Sequence, residues 1–163
     1  MTASSPTIDT TGTAGRPLAR YAASRRCGEY LFLSGVVAVD PRDGDVIERY
    51  DQLSEAARAS LRMLGYCTGQ TSVDVFEAPI VAQSWVVFER IRALVAFEGA
   101  QLENVARLVQ YFTQLSDYPA FNRVRQVFFP EPVVSTVVGV QALLPDQRVR
   151  VEVEATVWLG PLR

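Results

Sequence analysis

Residues 148–158 read Arg-Val-Arg-Val-Glu-Val-Glu-Ala-Thr-Val-Trp, with an apolar side chain at every second position up to Val157. Successive side chains on a β-strand point to opposite faces, so this alternation fits a strand and does not fit a helix. Val149, Val151, Val153, Ala155 and Val157 form the face that must meet a core. Arg148, Arg150, Glu152, Glu154 and Thr156 form the other. Charges are costly to bury without partners, so that second face meets water, a cross-strand partner or a polar interface with another copy of the chain.

The remaining elements are read around this strand. Residues 19–24 predict a short edge strand carrying Tyr21, and residues 30–39 a long apolar strand broken at Ser34-Gly35. A glycine inside a strand marks a bulge or a close approach of another group. Residues 52–64 predict an amphipathic helix with Leu53, Ala57, Leu61 and Leu64 on one face and Gly65 as its stop. Residues 66–79 read as a long irregular loop, and residues 80–97 as a second, more apolar helix ended by Gly99. A strand follows at 104–113, then a helix at 118–129 opened by Ser116 or Asp117 with Pro119 in its first turn. A strand at 135–144 and a tight turn at 145–147 are read as the first arm of a hairpin with the terminal strand. This order predicts an α+β fold with helices on one face of the sheet. The other face needs a cover, for which a second copy of the chain is the simplest candidate.

Composition then limits the chemistry. The 163 residues, 48% hydrophobic, suit a single domain, predicted over residues 16–163, with residues 1–15 a flexible tail that lacks the features of a secretory signal. No apolar run approaches the roughly 20 residues that cross a bilayer, and a formal charge of −2 gives no net field for phosphates. Neither a membrane nor a nucleic acid is expected as a partner, and a cytoplasmic location follows. The chain has no His, and all sixteen basic residues are Arg. Histidine-based nucleophilic machinery, His-ligated metals and lysine Schiff bases are therefore absent. Cys27 and Cys67 are too few for a zinc site and are expected to be reduced thiols. Carboxylates, Arg, Tyr, Ser, Thr, amides and backbone dipoles remain, with no metal and no cofactor expected.

Three stretches carry a resemblance. Gly28-Glu-Tyr-Leu-Phe-Leu-Ser-Gly35 resembles the "SG" strand of the Rid (YjgF) family. Asp117-Tyr-Pro-Ala-Phe-Asn122 with Phe128-Phe129-Pro130 resembles that family's site helix, and Val151-Glu-Val-Glu-Ala155 its terminal strand. The matches occur in the family's order and span about residues 15–158. The resemblance implies a chorismate-mutase-like fold, a homotrimer, and a small-molecule site between neighbouring subunits. Carried over by position, it implies Glu152, Asn122 and Tyr21 as catalytic residues. Ser34, Gly35, Ser135, Thr136 and Arg150 are implied as substrate contacts.

One departure stands out. Where active imine deaminases of the family hold a substrate carboxylate with an arginine in a segment like "PARST", this chain reads Pro132-Val133-Val134-Ser135-Thr136, so the arginine aligns with Val134 or Ser135. Residues 49–79 are also longer than in usual members, implying an inserted helix and loop. Two readings follow. In one, the chain is a divergent Rid-like enzyme acting on an imine, enamine or related unsaturated acid by hydrolytic deamination, tautomerisation or dehydrative cyclisation. Glu152 would supply acid–base chemistry, Asn122 and the Gly35 backbone would polarise the reacting bond, and Arg123, Arg125 or Arg150 could replace the missing cation. In the other, it binds a metabolite or a partner protein without turnover.

Overall fold

The structure is a computed structural model and describes residues 21–161. The predicted tail at 1–15 lies outside the described residues, as do residues 19–20 of the predicted first strand. The chain runs β1 (Ser24–Cys27), β2 (Tyr30–Leu33), α1 (Glu55–Met63), α2 (Thr71–Phe76), α3 (Ala78–Phe97), β3 (Val105–Phe112), α4 (Tyr118–Phe128), β4 (Val134–Gly139) and β5 (Val151–Trp158). The strands form one mixed sheet in the order β1-β2-β5-β3-β4, with the long helices packed on one face. The fold is α+β, as the order of elements predicts.

The terminal strand occupies the centre of the sheet, antiparallel to β2 on one side and to β3 on the other. Val151, Val153, Ala155 and Val157 are buried beneath the helices, and Arg150, Glu152, Glu154 and Thr156 are half-buried. On β3 a bulge between Val105 and Arg107 opposes two residues to one, so Val105 joins Leu108, Gln110 and Phe112 on the inner side. Phe112 meets Phe121 of α4 edge-on at 5.0 Å, and Phe121 meets Phe88 of α3 at 5.1 Å. These rings fix the helix layer on the sheet. Buried phenylalanines each remove some 150–250 Å² from water, which makes them the main contributors to such a core. The opposite face carries Tyr30, Phe32, Arg107, Val109, Tyr111, Glu152, Glu154 and Thr156. Tyr30 and Phe32 are 46% and 47% exposed there.

The helix boundaries follow local chemistry. Ser54 caps α1 by accepting a hydrogen bond from the Ala57 amide at 3.2 Å, so the helix begins at Glu55, three residues later than the predicted start at Gln52. Gly65, at φ +85°, ends it, and the Tyr66 amide returns to the Leu61 carbonyl. On α3, Pro79 sits in the first turn, where its missing N–H is harmless.

Four expectations are corrected. The first strand is β1, later than residues 19–24, because the two-residue turn at Gly28-Glu29 sets the register Cys27↔Tyr30. The strand predicted over 30–39 ends as β2 at Leu33, and pairing resumes only at the single Val36↔Val153 bridge. The predicted loop at 66–79 contains α2 and the first residues of α3. Asp74 accepts from the Gly69 amide at 2.6 Å and holds the start of that turn in place. Finally, the predicted hairpin between 135–144 and the terminal strand does not form. β4 ends at Gly139 and pairs parallel to β3 at the sheet edge. The intervening α4 makes β3-α4-β4 a crossover unit, the connection that parallel neighbouring strands require. Residues 140–150 instead carry the chain from that edge back to the centre of the sheet.

Candidate active site

The break in the second predicted strand and the crossing segment 140–150 together make a cleft of about 620 Å³. Tyr21, Ser34, Gly35 and Glu152 line one side, and Val37 with Ala142, Leu143, Leu144 and Pro145 the other. The local cause is a bulge. From Phe32↔Thr156 to Val36↔Val153 the chain spends four steps against three, so one extra residue is pushed out at Ser34-Gly35. The Ser34 amide donates to the Ala23 carbonyl at 3.0 Å, and its hydroxyl to the Ala22 carbonyl at 2.7 Å. Those two bonds hold the arm that carries Tyr21. Val36 and Val153 exchange backbone hydrogen bonds of 2.9 and 3.1 Å.

Gly35 is glycine for a steric reason. A Cβ there would fall inside the Glu152 carboxylate. The acid therefore lies directly over the peptide backbone at the bulge. Among the described residues, no side chain pairs with Glu152, and the Gly35 amide makes no hydrogen bond. Burial, and then the neighbouring Glu154, push the Glu152 carboxyl above its ordinary range. A carboxyl group poised to hold or release a proton beside an unused amide is the arrangement that acid–base chemistry requires.

The far wall is built from below. Arg90 of α3 donates to the Val37 and Val39 carbonyls, and Gln83 donates to the Arg148 carbonyl at 2.9 Å while accepting from the Arg150 amide at 2.8 Å. One helix thus anchors both chain segments that border the cleft. Leu143 packs on a small apolar cluster of Val37, Val39, Val46 and Val149. Leu144 is 82% exposed at the lip.

Of the residues predicted for the site, the structure brings Tyr21, Ser34, Gly35 and Glu152 together. The others lie elsewhere in the same chain. Arg150 is engaged by Asp117, at 2.7 Å from Nε and 2.5 Å from the terminal nitrogen. That ion pair takes the Asp117 carboxylate away from the helix cap predicted for it. Ser135 and Thr136 sit on opposite sides of the edge strand β4, where Arg125 and Arg107 approach their hydroxyls at 3.3 Å each. Asn122 is half-buried on α4, and its amide oxygen is buried with no protein partner among the described residues. The wall of Val37 and Ala142 to Pro145 was not predicted. Its signal was available: Leu143 and Leu144 are adjacent apolar residues directly before Pro145, against the alternation of the strand predicted there.

Relatives share this architecture. The sequence pattern described as endoribonuclease L-PSP matches residues 49–159. A solved structure from Klebsiella pneumoniae is 47% identical, covers 86% of this chain and 100% of its own, and superposes with a TM-score of 0.80. RidA from an Antarctic Psychrobacter is 22% identical, covers 90% of this chain and 94% of its own, and superposes at 0.66. A Dermatophagoides farinae protein named 2-iminobutanoate/2-iminopropanoate deaminase is 26% identical over 147 residues, 89% of this chain and 91% of its own. With the fold, the ordered motifs and this match over most of its length in agreement, the chain belongs to the endoribonuclease L-PSP family, the YjgF/Rid proteins.

Proposed function

We propose that this protein is a Rid-type hydrolase of small imines or enamines, working as a homotrimer with Glu152 as its acid–base group. The observation that carries the reading is the position of Glu152. It is a half-buried carboxyl without a partner among the described residues, laid over the Gly35 backbone in a cleft that Tyr21 borders. Glu152 takes a proton from a water whose oxygen bonds to the imine carbon. It returns that proton to nitrogen, and a second proton follows from the new hydroxyl as the C–N bond breaks. The net change is imine plus water to carbonyl compound plus ammonia. The Gly35 N–H faces the charge that develops, and a fixed backbone donor is effective there because it needs no reorganisation.

The open sheet face supports the assembly. Tyr30 and Trp158 lie with ring centroids 5.1 Å apart, Phe32 stands beside Tyr30, and Val134 on β4 is 68% exposed. Such a face suits burial against copies of itself. Asn122, Ser135 and Thr136 would then reach a neighbouring copy's cleft, which accounts for their distance from Glu152 within one chain. The family description names RNA cleavage, but the described cleft presents a carboxyl and no cation, a poor match for a phosphate backbone.

The test is ammonia release from imines formed in situ by an oxidase, with wild type and Glu152→Gln, alongside sedimentation equilibrium. Glu152-dependent acceleration by a trimer is expected. A monomer in solution, or equal rates for the two proteins, removes the proposal, and ligand binding without turnover would favour the binding-only reading.

A further inference from the structure

We infer that this protein carries a second binding site, a hollow between α1, α3 and α4 that takes a free α-amino acid with a large apolar side chain. None of its lining residues lines the cleft at Glu152, and the assembly proposed above uses the opposite face of the sheet.

The hollow has a volume of about 410 Å³, inside the roughly 300–1,000 Å³ that small-molecule sites span. Trp85, Leu102, Val127 and Phe128 form its apolar part. Trp85 meets Phe128 edge-on at 5.0 Å, and both are buried, so two rings make the floor. The charged part is a pair one turn apart on α3, Glu89 and Arg92. Their closest approach is 3.4 Å and both side chains are partly exposed, so the pair is long and contributes little as it stands. Arg92 also lies over the Phe128 ring, 5.4 Å from its centroid, which holds the guanidinium against the apolar floor. The Trp85 indole N–H is buried with no acceptor among the described residues. Native structures seldom leave such a donor unmet, and an oxygen of a bound ligand would supply the acceptor.

These features select one class of ligand. A lone carboxylate meets Arg92 but also the like charge of Glu89, and a lone amine meets the reverse. A neutral hydrocarbon dehydrates both charges and pairs with neither. An α-amino acid carries its ammonium and carboxylate on one carbon, as closely spaced as the two side-chain ends, so it pairs with both at once. Its side chain then lies on Phe128 and covers Val127, which is 45% exposed.

The test is calorimetric titration of the full chain with phenylalanine, 3-phenylpropanoate and 2-phenylethylamine, which share a ring and differ in the charges they carry. Phenylalanine is expected to bind at least about tenfold tighter than either truncated compound, the value of one charged hydrogen bond. Arg92→Gln and Glu89→Gln change partly exposed side chains and leave the core intact, and each should weaken binding about tenfold. Ser60→Phe, which fills the hollow, should abolish it. Trp158→Phe leaves Trp85 as the sole tryptophan, and its emission should shift as the site saturates. Binding should persist unchanged in Glu152→Gln. Three results overturn the inference: no saturable binding up to about 10 mM, equal affinity for the three compounds, or binding that is lost in Glu152→Gln and kept in Arg92→Gln. None of them bears on the hydrolase reading, which ammonia release decides.

Discussion

Arg150, at the entry to β5, and Glu152, inside it, stand two residues apart in an alternating strand, and the molecule treats them in opposite ways. Arg150 lies one residue beyond the last ladder pair, Phe112↔Val151, where the sheet no longer confines its side chain. Its guanidinium turns to Asp117 at the start of α4 and forms a two-pronged ion pair there, with side chains only 20% and 7% exposed. Glu152 is held within the ladder opposite Tyr111 and faces the bulge at Gly35. It receives no partner among the described residues. A buried charge that is paired belongs to the architecture. One left unpaired in a cleft carries a folding cost that some other property must justify, and here the geometry connects it with proton transfer.

The contrast can be broken from either side. The largest effect is expected at the paired site: Asp117→Ala leaves Arg150 mostly buried and unpaired, at a cost of about 3 kcal/mol in urea unfolding. A loss under about 0.5 kcal/mol would mean that the pair contributes little. Next comes Gly35→Ala. The added methyl displaces the Glu152 carboxylate, so turnover should fall about a hundredfold while stability drops by only about 1–2 kcal/mol. Because the collision is with this one side chain, Gly35→Ala/Glu152→Ala should be more stable than the sum of the single changes allows. Strict additivity would separate the glycine from the acid.

The smallest effect has the opposite sign. Burial raises the Glu152 carboxyl above 4.5, so the folded chain keeps this proton to higher pH than the unfolded chain does. Stability contributed by this group therefore falls as pH rises from about the unfolded value through the folded one, and the deficit persists above it. Glu152→Gln should melt slightly higher than wild type at neutral pH, with the gain vanishing below pH 4.5. Removing one acid then destabilises the molecule and neutralising the other stabilises it. A Glu152→Gln protein that melts lower than wild type at pH 7 would show that the carboxylate is structural.

Much of this was legible in the residues. The alternation of Val149 to Val157, the stripe along Ile80, Val87 and Ile91, and the Ser116-Asp117-Tyr118-Pro119 start reappear as β5, α3 and α4. Ser34-Gly35 marked the bulge, and family resemblance drew Tyr21, Ser34, Gly35 and Glu152 together before any geometry did. What stayed hidden depended on partners distant along the chain. Ser135 to Gly139 alternate no differently whether they pair with β3 or with β5. α4 supplies the crossover that lets β4 lie parallel beside β3, and its packing on the sheet selects that partner.

The sequence by itself determined which side chains of the terminal strand and of the long helices face inward, where α1 and α3 stop, and which chemistry lacks the residues to occur. These depend on periods of two and 3.6 and on residue types, which act over a few positions. Only the tertiary structure decided that residues 140–150 would cross the sheet and raise a leucine wall opposite Glu152, and that Arg150 would be taken by Asp117. Strand order and ion pairing are settled by contacts across tens of residues, where local pattern leaves several partners equally acceptable and packing of the whole chain selects one.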